Sequence, residues 1–227
     1  MAEYFDVLDE FGNKTGQVKP RVDVHRDGDW HREVHIWIVN DKNEVLLQKR
    51  APNKDHCPNM WDISVGGHIG AGDESIASAI RETKEEIGVD ITADQLQFLG
   101  TLRGTNSFGP VINNKFDDVY LMRLNIDIDK IVFLENEISE VCWMPVSELK
   151  DMVARRDPML TMLYSCPQIY DVLFDAIIPG SRHPGEGRDP LPRSEIKKSN
   201  FNNVKNQCDA CGAVDPGLRR GDDVDVW

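Results

Sequence analysis

The stretch GGHIGAGDESIASAIRETKEEIGV, Gly66 to Val89, decides the fold. Ile76, Ala79, Ile80, Thr83 and Ile87 recur at spacings of three and four, which predicts an amphipathic helix from about Ser75 to Ile87 with one apolar face. Asp73, Glu74 and Ser75 place two acids and a capping hydroxyl where the helix begins, and Gly88 supplies the residue type that ends one. The anomaly is at the far end. Glu82, Glu85 and Glu86 crowd the last turns, where the partial negative charge of a helix C-terminus disfavours carboxylates, and Glu82 and Glu86 sit four apart, where like charges repel. The three lie on one side of the helix, offset from the isoleucine face. A hard divalent cation bound there would turn the repulsion into coordination. The plainer alternative is a solvated acidic face with Arg81 paired to Glu85.

Working outward, MWDISV reads as a short strand running into Gly66-Gly67, and APNKDHCPNM before it as a loop. EVHIWIVNDKNEVLLQKR predicts a hairpin, with Val34, Ile36 and Ile38 on one face and NDKN turning the chain. YFDVLDEFGNKTGQV predicts another hairpin at the N-terminus. Downstream, LQFLGTLRGT, KFDDVYLMRLNI and EVCWMP are strand-like. VSELKDMVARR and PMLTMLYSCPQIYDVLFDAI are helical, the second interrupted by Pro167. Strands, a helix, more strands and then helices predict a mixed α/β (α+β) domain ending near Ile178. The expected divisions are an N-terminal hairpin segment at 1–30, a core at 31–165 and a C-terminal helix at 166–178. Residues 179–227 are rich in Pro, Gly, Asn and charge without an apolar period, which predicts a disordered tail.

The chain has 227 residues, enough for one domain with appendages, and an apolar fraction of 40% can fill a core. Its net charge of −13 disfavours binding to a nucleic-acid polymer, which needs basic patches. A polyanionic small-molecule substrate would require local cations. The opening MAEYFDVLDEFG lacks the pattern of a signal peptide, and no apolar run reaches the roughly 20 residues of a membrane span. Five cysteines show no framework spacing. A cytoplasmic setting is the expectation.

From Gly67 the segment reads G, five residues, Asp73, seven residues, Arg81-Glu82-Thr83, one residue, Glu85-Glu86, one residue, Gly88-Val89. This resembles the Nudix box, G-x5-E-x7-R-E-U-x-E-E-x-G-U, where U is aliphatic. The resemblance covers roughly residues 3–178. It implies an α/β/α sandwich around a mixed sheet and hydrolysis, dependent on Mg²⁺ or Mn²⁺, of a nucleoside diphosphate linked to another group. Carried over by position, Glu85 and Glu86 are the principal metal ligands and Glu82 is a further ligand or the general base. Arg81 orients the glutamates, and the Gly67 carbonyl completes the metal shell. Two positions depart from the box. Asp73, followed by Glu74, stands where a glutamate pairs with the box arginine, and Thr83 stands where an aliphatic residue is usual.

The region before the box resembles the isopentenyl-diphosphate isomerase branch of the same superfamily, through RVDVHRDGDWH, LLQKRAPNK and MWDISVGGH. That likeness implies diphosphate contacts from Arg21, Arg50 and Lys54, and places His25, His31 and His68 on or near positions that bind metal there. Gly66, however, occupies the position of the isomerase's catalytic cysteine, and the chain carries a fuller set of box glutamates than the isomerase. The reading is therefore an isomerase-like frame with hydrolase machinery. The alternatives are an isopentenyl-diphosphate isomerase-like enzyme and a non-catalytic nucleotide-binding module. Oligomeric state stays open, with a homodimer as one option.

Other candidates weigh less. His35 reads as a structural histidine. Asp117-Asp118 read either as a polar strand pair or as contributors to the metal site. Trp61 is expected to pack under the glycine turn, and Phe108, Phe116 and Tyr120 to line a pocket or, more simply, the core. Cys208 and Cys211 form a CxxC with no second pair. HPGEGRDP and DPGLRRGDD resemble peptide read through a bacterial intergenic palindromic repeat, which would make the tail an extension without a role in the chemistry.

Overall fold

The computed structural model describes residues 3–54, 56–108, 111–133 and 136–177. The expected tail at 179–227, with Cys208 and Cys211, lies outside the described residues, as does the side chain of Phe108.

The N-terminal hairpin forms from β1 (Tyr4–Leu8) and β2 (Lys14–Pro20). The segment after it is not extended: Arg21–Asp27 is a short helix, α1, which starts after Pro20 and stops at Gly28 in the left-handed region (φ 70°). Val24 is buried against Phe5 and Val7, and Val22 on the opposite side of the helix is exposed.

β3 (Trp30–Val39) is the central strand. It runs parallel to β8 (Val111–Arg123) along its whole length and antiparallel to β6 (Val65–His68), with Glu33 opposite both Asp117 and His68. β8 pairs antiparallel with β7 (Leu96–Phe108). β4 (Glu44–Arg50) pairs antiparallel with β5 (Trp61–Asp62) and β9 (Ile138–Pro145).

The expected hairpin of β3 and β4 turns at Asn40–Asn43, but the two strands share only the Val39–Val45 pair. Beyond it they separate, and the buried Ser64 hydroxyl spans the gap, accepting from the Ile38 N–H at 2.8 Å and donating to the Leu46 carbonyl at 2.6 Å. This is also why MWDISV is two strands and not one. Its first half pairs with β4 and its second with β3, with Ser64 at the join.

Helices cover both faces of the sheet. α2 (Ser75–Ile87) buries Ala79 and Ile87 against Val34, Ile36, Ile38, Leu46 and Val65. On the other face α3 (Val146–Ala154) and α5 (Gln168–Ile177) bury Leu149, Tyr170 and Leu173 against Trp37, Val39, Leu47 and Leu121. Strands covered on both sides read as near-continuous apolar runs, as IWIV and VLL do. Pro167 separates α4 (Met162–Ser165) from α5, as its missing N–H requires. The architecture is the expected α/β/α sandwich around a mixed sheet.

α2 has the expected bounds, and Gly88 ends it in the left-handed region (φ 72°). Its start differs from expectation. Glu74 is the N-cap residue and no side chain caps the helix; the Ser75 hydroxyl instead accepts from Tyr120 Oη at 2.9 Å.

Candidate functional site

β6 organises the site, because its alternating residues face opposite sides of the sheet. Val65 and Gly67 face α2, whereas Gly66 and His68 face the side of α5.

On the α2 side, Glu82 is buried, at 8% exposure, because Gly67 has no side chain to keep it away. Arg81 Nη1 pairs with Glu82 at 2.8 Å and with Glu85 at 2.9 Å, while Nη2 donates to the His68 carbonyl at 3.0 Å. Glu85 remains largely exposed. One turn on, Glu86 Oε2 accepts from the Gly66 N–H at 3.1 Å and from Gln48 Nε2 at 3.3 Å. Burial pushes the Glu82 carboxyl up to about 7 against the pull of Arg81. Burial likewise pushes Glu86 up to about 8, against the Gly66 N–H, with the charges of Glu82 and Asp62 adding to the rise.

Glu82, Glu85 and Glu86 do not converge on one point: among the described residues they form no group of three ligand atoms within 4.8 Å. Arg81 draws Glu85 outward, while Gln48 and Gly66 hold Glu86 inward. The residues nonetheless fit a hard divalent cation. Desolvation raises the proton affinity of both carboxylates, and neighbouring charge adds to it, Glu85 acting on Glu82 and Glu82 on Glu86; that is the charge deficit a cation relieves.

Asp73 is exposed and does not appear among Arg81's described partners. One methylene shorter than glutamate, it folds back over Gly70, where an added Cβ would lie 2.6 Å from its Oδ2. Glu74 is exposed at the helix start. Thr83 is fully buried and donates to the Ala79 carbonyl at 2.8 Å, so the helix itself satisfies its hydroxyl.

The expected substrate cations are each engaged by a carboxylate. Arg21 pairs with Glu3 at 3.2 Å on the surface. Arg50 pairs with Asp62 at 3.4 Å and donates to the His56 carbonyl at 2.9 Å. Lys54 pairs with Glu137.

On the α5 side, His25 of α1, His31 of β3 and His68 of β6 come together, with one ring nitrogen from each within 4.8 Å of the others. Phe5 stacks on His31 and His68 at centroid distances of 5.2 and 4.6 Å. The Nε2 atoms of all three histidines are buried and make no hydrogen bond. Burial drives His25 down to about 4, helped by the nearby His31, and holds His68 well below the usual imidazole range, so both present neutral rings. Three unpartnered imidazole nitrogens suit a borderline transition metal. Glu33 Oε1 stands 3.6 Å from His31 Nε2 and 3.4 Å from His68 Nε2.

Asp117 and Asp118 face opposite sides of β8. Asp118 accepts from Arg32 and from Thr101 Oγ1 on the α2 side, whereas Asp117 points toward His35 and Lys115. His35 is buried, with its Nε2 3.4 Å from Glu33 Oε2 and 3.5 Å from Asp117 Oδ1. Phe116 and Tyr120 are buried. Trp61 packs against the α5-side core with Lys49 Nζ 5.5 Å over its ring. The sequence reading missed Gln48 and Asp62 beside Glu86. The available signal was Gln48 itself, a polar residue sharing the strand face of the buried Leu46.

The family model described as NUDIX domain matches residues 29–163. "Nudix hydrolase 3" of Arabidopsis thaliana is 42% identical over 180 residues, 77% of this chain; the chain spans only 23% of that longer protein. An uncharacterised Nudix hydrolase of Clostridium acetobutylicum is 34% identical over 65% of this chain and 72% of its own length. "Isopentenyl-diphosphate Delta-isomerase 2" of Photorhabdus laumondii is 29% identical over 79% of this chain and 93% of its own. Among solved structures, DR0079 from Deinococcus radiodurans aligns with a TM-score of 0.53 at 25% identity, covering 67% of this chain and 90% of that one.

Proposed function

From the premise that this chain belongs to the NUDIX family, we propose that it is a divalent-metal-dependent hydrolase cleaving the diphosphate linkage of a nucleoside diphosphate derivative or a related organic diphosphate. The observation that carries this reading is the pair of proton-hungry carboxylates, buried Glu82 and half-buried Glu86, held against the side-chain-free strand Gly66-Gly67.

In this reading Glu82, Glu85, Glu86 and the Gly67 carbonyl would hold Mg²⁺ or Mn²⁺. The bound ion supplies charge neutralisation at diphosphate oxygens and a lowered pKa for water. The side chains do the rest. Glu82, beside the attacking water, takes its proton as general base. Arg81 keeps Glu82 and Glu85 in place through two ion pairs and ties the helix to β6 through the His68 carbonyl. Arg50 and Lys54, at the end of β4 and in the loop after it, turn from their carboxylate partners to the diphosphate. On a protein of net charge −13 such local cations are what draw in a polyanion. A small-molecule substrate and a cytoplasmic setting go with this reading; among the described residues no helix is long and apolar enough to cross a membrane.

The test is phosphate or nucleotide release with and without Mg²⁺ and Mn²⁺, over a panel of nucleoside diphosphate derivatives and prenyl diphosphates. Metal-dependent turnover abolished by Glu82→Gln and Glu86→Gln is expected. Turnover indifferent to both substitutions overturns the assignment.

A second reading, isomerisation of a prenyl diphosphate, is favoured by the assembled His25, His31 and His68 and by the isomerase-named relative. Gly66, which brings no side chain to that face, weighs against it. Formation of the allylic isomer without phosphate release would establish it.

A further inference from the structure

Beside the histidine cluster, on the same face of the sheet, lies a second convergence of ligand atoms with Lys115 in its midst. β3 and β8 run in parallel register, His31 beside Lys115 and Glu33 beside Asp117, so their side chains on this face meet in pairs. One ligand atom each from Glu33, His35 and Asp117 fall within 4.8 Å of one another. Lys115 Nζ sits among them, 2.6 Å from Glu33 Oε2, 3.3 Å from Asp117 Oδ1 and 3.5 Å from His35 Nε2. All four residues are buried. Asp117 has no exposed surface, and beyond the Lys115 ammonium and the Cys166 thiol beside it neither of its oxygens has a well-formed hydrogen bond; His35 Nδ1 is also without one. A buried carboxylate demands a counter-charge, and the single positive charge of one ammonium leaves a cage with two carboxylates one charge short.

We propose that Glu33, His35 and Asp117 form a latent divalent-cation site which the Lys115 ammonium fills in place of a metal ion. Two carboxylate oxygens and an imidazole nitrogen suit Zn²⁺, Co²⁺ or Mn²⁺. The tethered ammonium supplies one positive charge where a dissociable ion would supply two, so this part of the fold assembles without metal. Glu33 divides its oxygens between the two clusters, Oε2 toward Lys115 and His35, Oε1 toward His31 and His68. His35 and Asp117 belong to this cluster alone, which makes Asp117 the residue that distinguishes it from the histidine cluster.

The experiment measures Co²⁺ binding to the full chain, by dialysis with metal analysis and by visible absorption, for the wild type, Lys115→Ala and Lys115→Met. Each variant is expected to bind one more Co²⁺ per chain than the wild type and to gain more in Tm on Co²⁺ addition. Both gains are expected to vanish in Lys115→Ala/Asp117→Asn. A variant that folds only when Co²⁺ is present during refolding supports the same conclusion. Equal Co²⁺ content in the wild type and both variants overturns it. Wild-type crystals soaked in Mn²⁺ give an arm that needs no variant. No anomalous peak is expected between Glu33, His35 and Asp117, and a peak there overturns the proposal.

Discussion

Glu82 lies over Gly67 so closely that a methyl group on Gly67 would sit 2.0 Å from the Glu82 carboxylate carbon. No real Cβ tolerates that contact, so Gly67→Ala must expel Glu82 from its pocket and with it the Arg81 ion pair. Overpacking of this kind costs about 1–3 kcal/mol. The expected result in denaturant unfolding is a destabilisation of that order together with loss of turnover. Glu82→Ala removes the obstructing group, so Gly67→Ala/Glu82→Ala should be less destabilised than the sum of the single changes. Strict additivity would show that the two residues do not touch in solution.

Glu82 and Glu86 set the pH dependence of stability. A carboxyl raised from its ordinary value of 4.5 to about 8 in the fold, as Glu86 is, favours the folded state while protonated. That contribution is fully present below about pH 4.5 and is lost as pH rises through 8; Glu82, raised to about 7, acts in the same direction. His25 and His68, lowered by burial, act oppositely and only below about pH 6.5, where stability falls with acidification. Between pH 6.5 and 8.5 the metal-free protein should therefore lose Tm as pH rises. Mg²⁺ should raise Tm more at pH 8.5 than at 6.5, because it binds the ionised carboxylates. Glu86→Gln should flatten the metal-free slope, and an unchanged slope in that variant would assign it elsewhere.

Glu82→Gln keeps the shape of the side chain and removes its basicity. For a general base, kcat should fall by about 10²- to 10⁴-fold with KM little changed. Arg81→Lys should also lower kcat, because an ammonium does not reproduce the guanidinium fork that holds Glu82, Glu85 and the His68 carbonyl together. A rise in KM alone in either variant would place these residues in substrate binding instead.

What the sequence reveals and what it hides follow from locality. The box helix was legible end to end because its apolar period and Gly88 are local signals. The break at Pro167 was legible for the same reason. α1 was not, since Val24 is buried only by Phe5 and Val7, distant in sequence. The split of MWDISV depends on Ser64 bridging two strands contributed by other parts of the chain. The histidine cluster depends on α1, β3 and β6 meeting, which a spacing of six between His25 and His31 does not encode. Lys115 gave no signal because its meaning lies wholly in the register of β3 with β8.

Arg50 and Lys54 have different anchors, and their substitutions should separate accordingly. Lys54 pairs with the partly exposed Glu137 and is free to exchange that partner for a diphosphate. Lys54→Ala should raise KM several-fold with kcat and Tm nearly unchanged, the signature of binding energy that ground state and transition state share. Arg50 is fixed twice, by the His56 carbonyl and by Asp62, the acid whose charge also bears on Glu86. Removing it leaves Asp62 without its guanidinium partner and adds uncompensated negative charge beside Glu86. Arg50→Ala should therefore lower Tm as well as raise KM, and Arg50→Ala/Asp62→Asn should recover part of the lost Tm while KM stays high. Steady-state kinetics and thermal unfolding on the same four proteins decide it: a Lys54→Ala effect on kcat as large as that on KM, or no recovery of Tm in the double variant, would remove these two cations from the roles assigned to them.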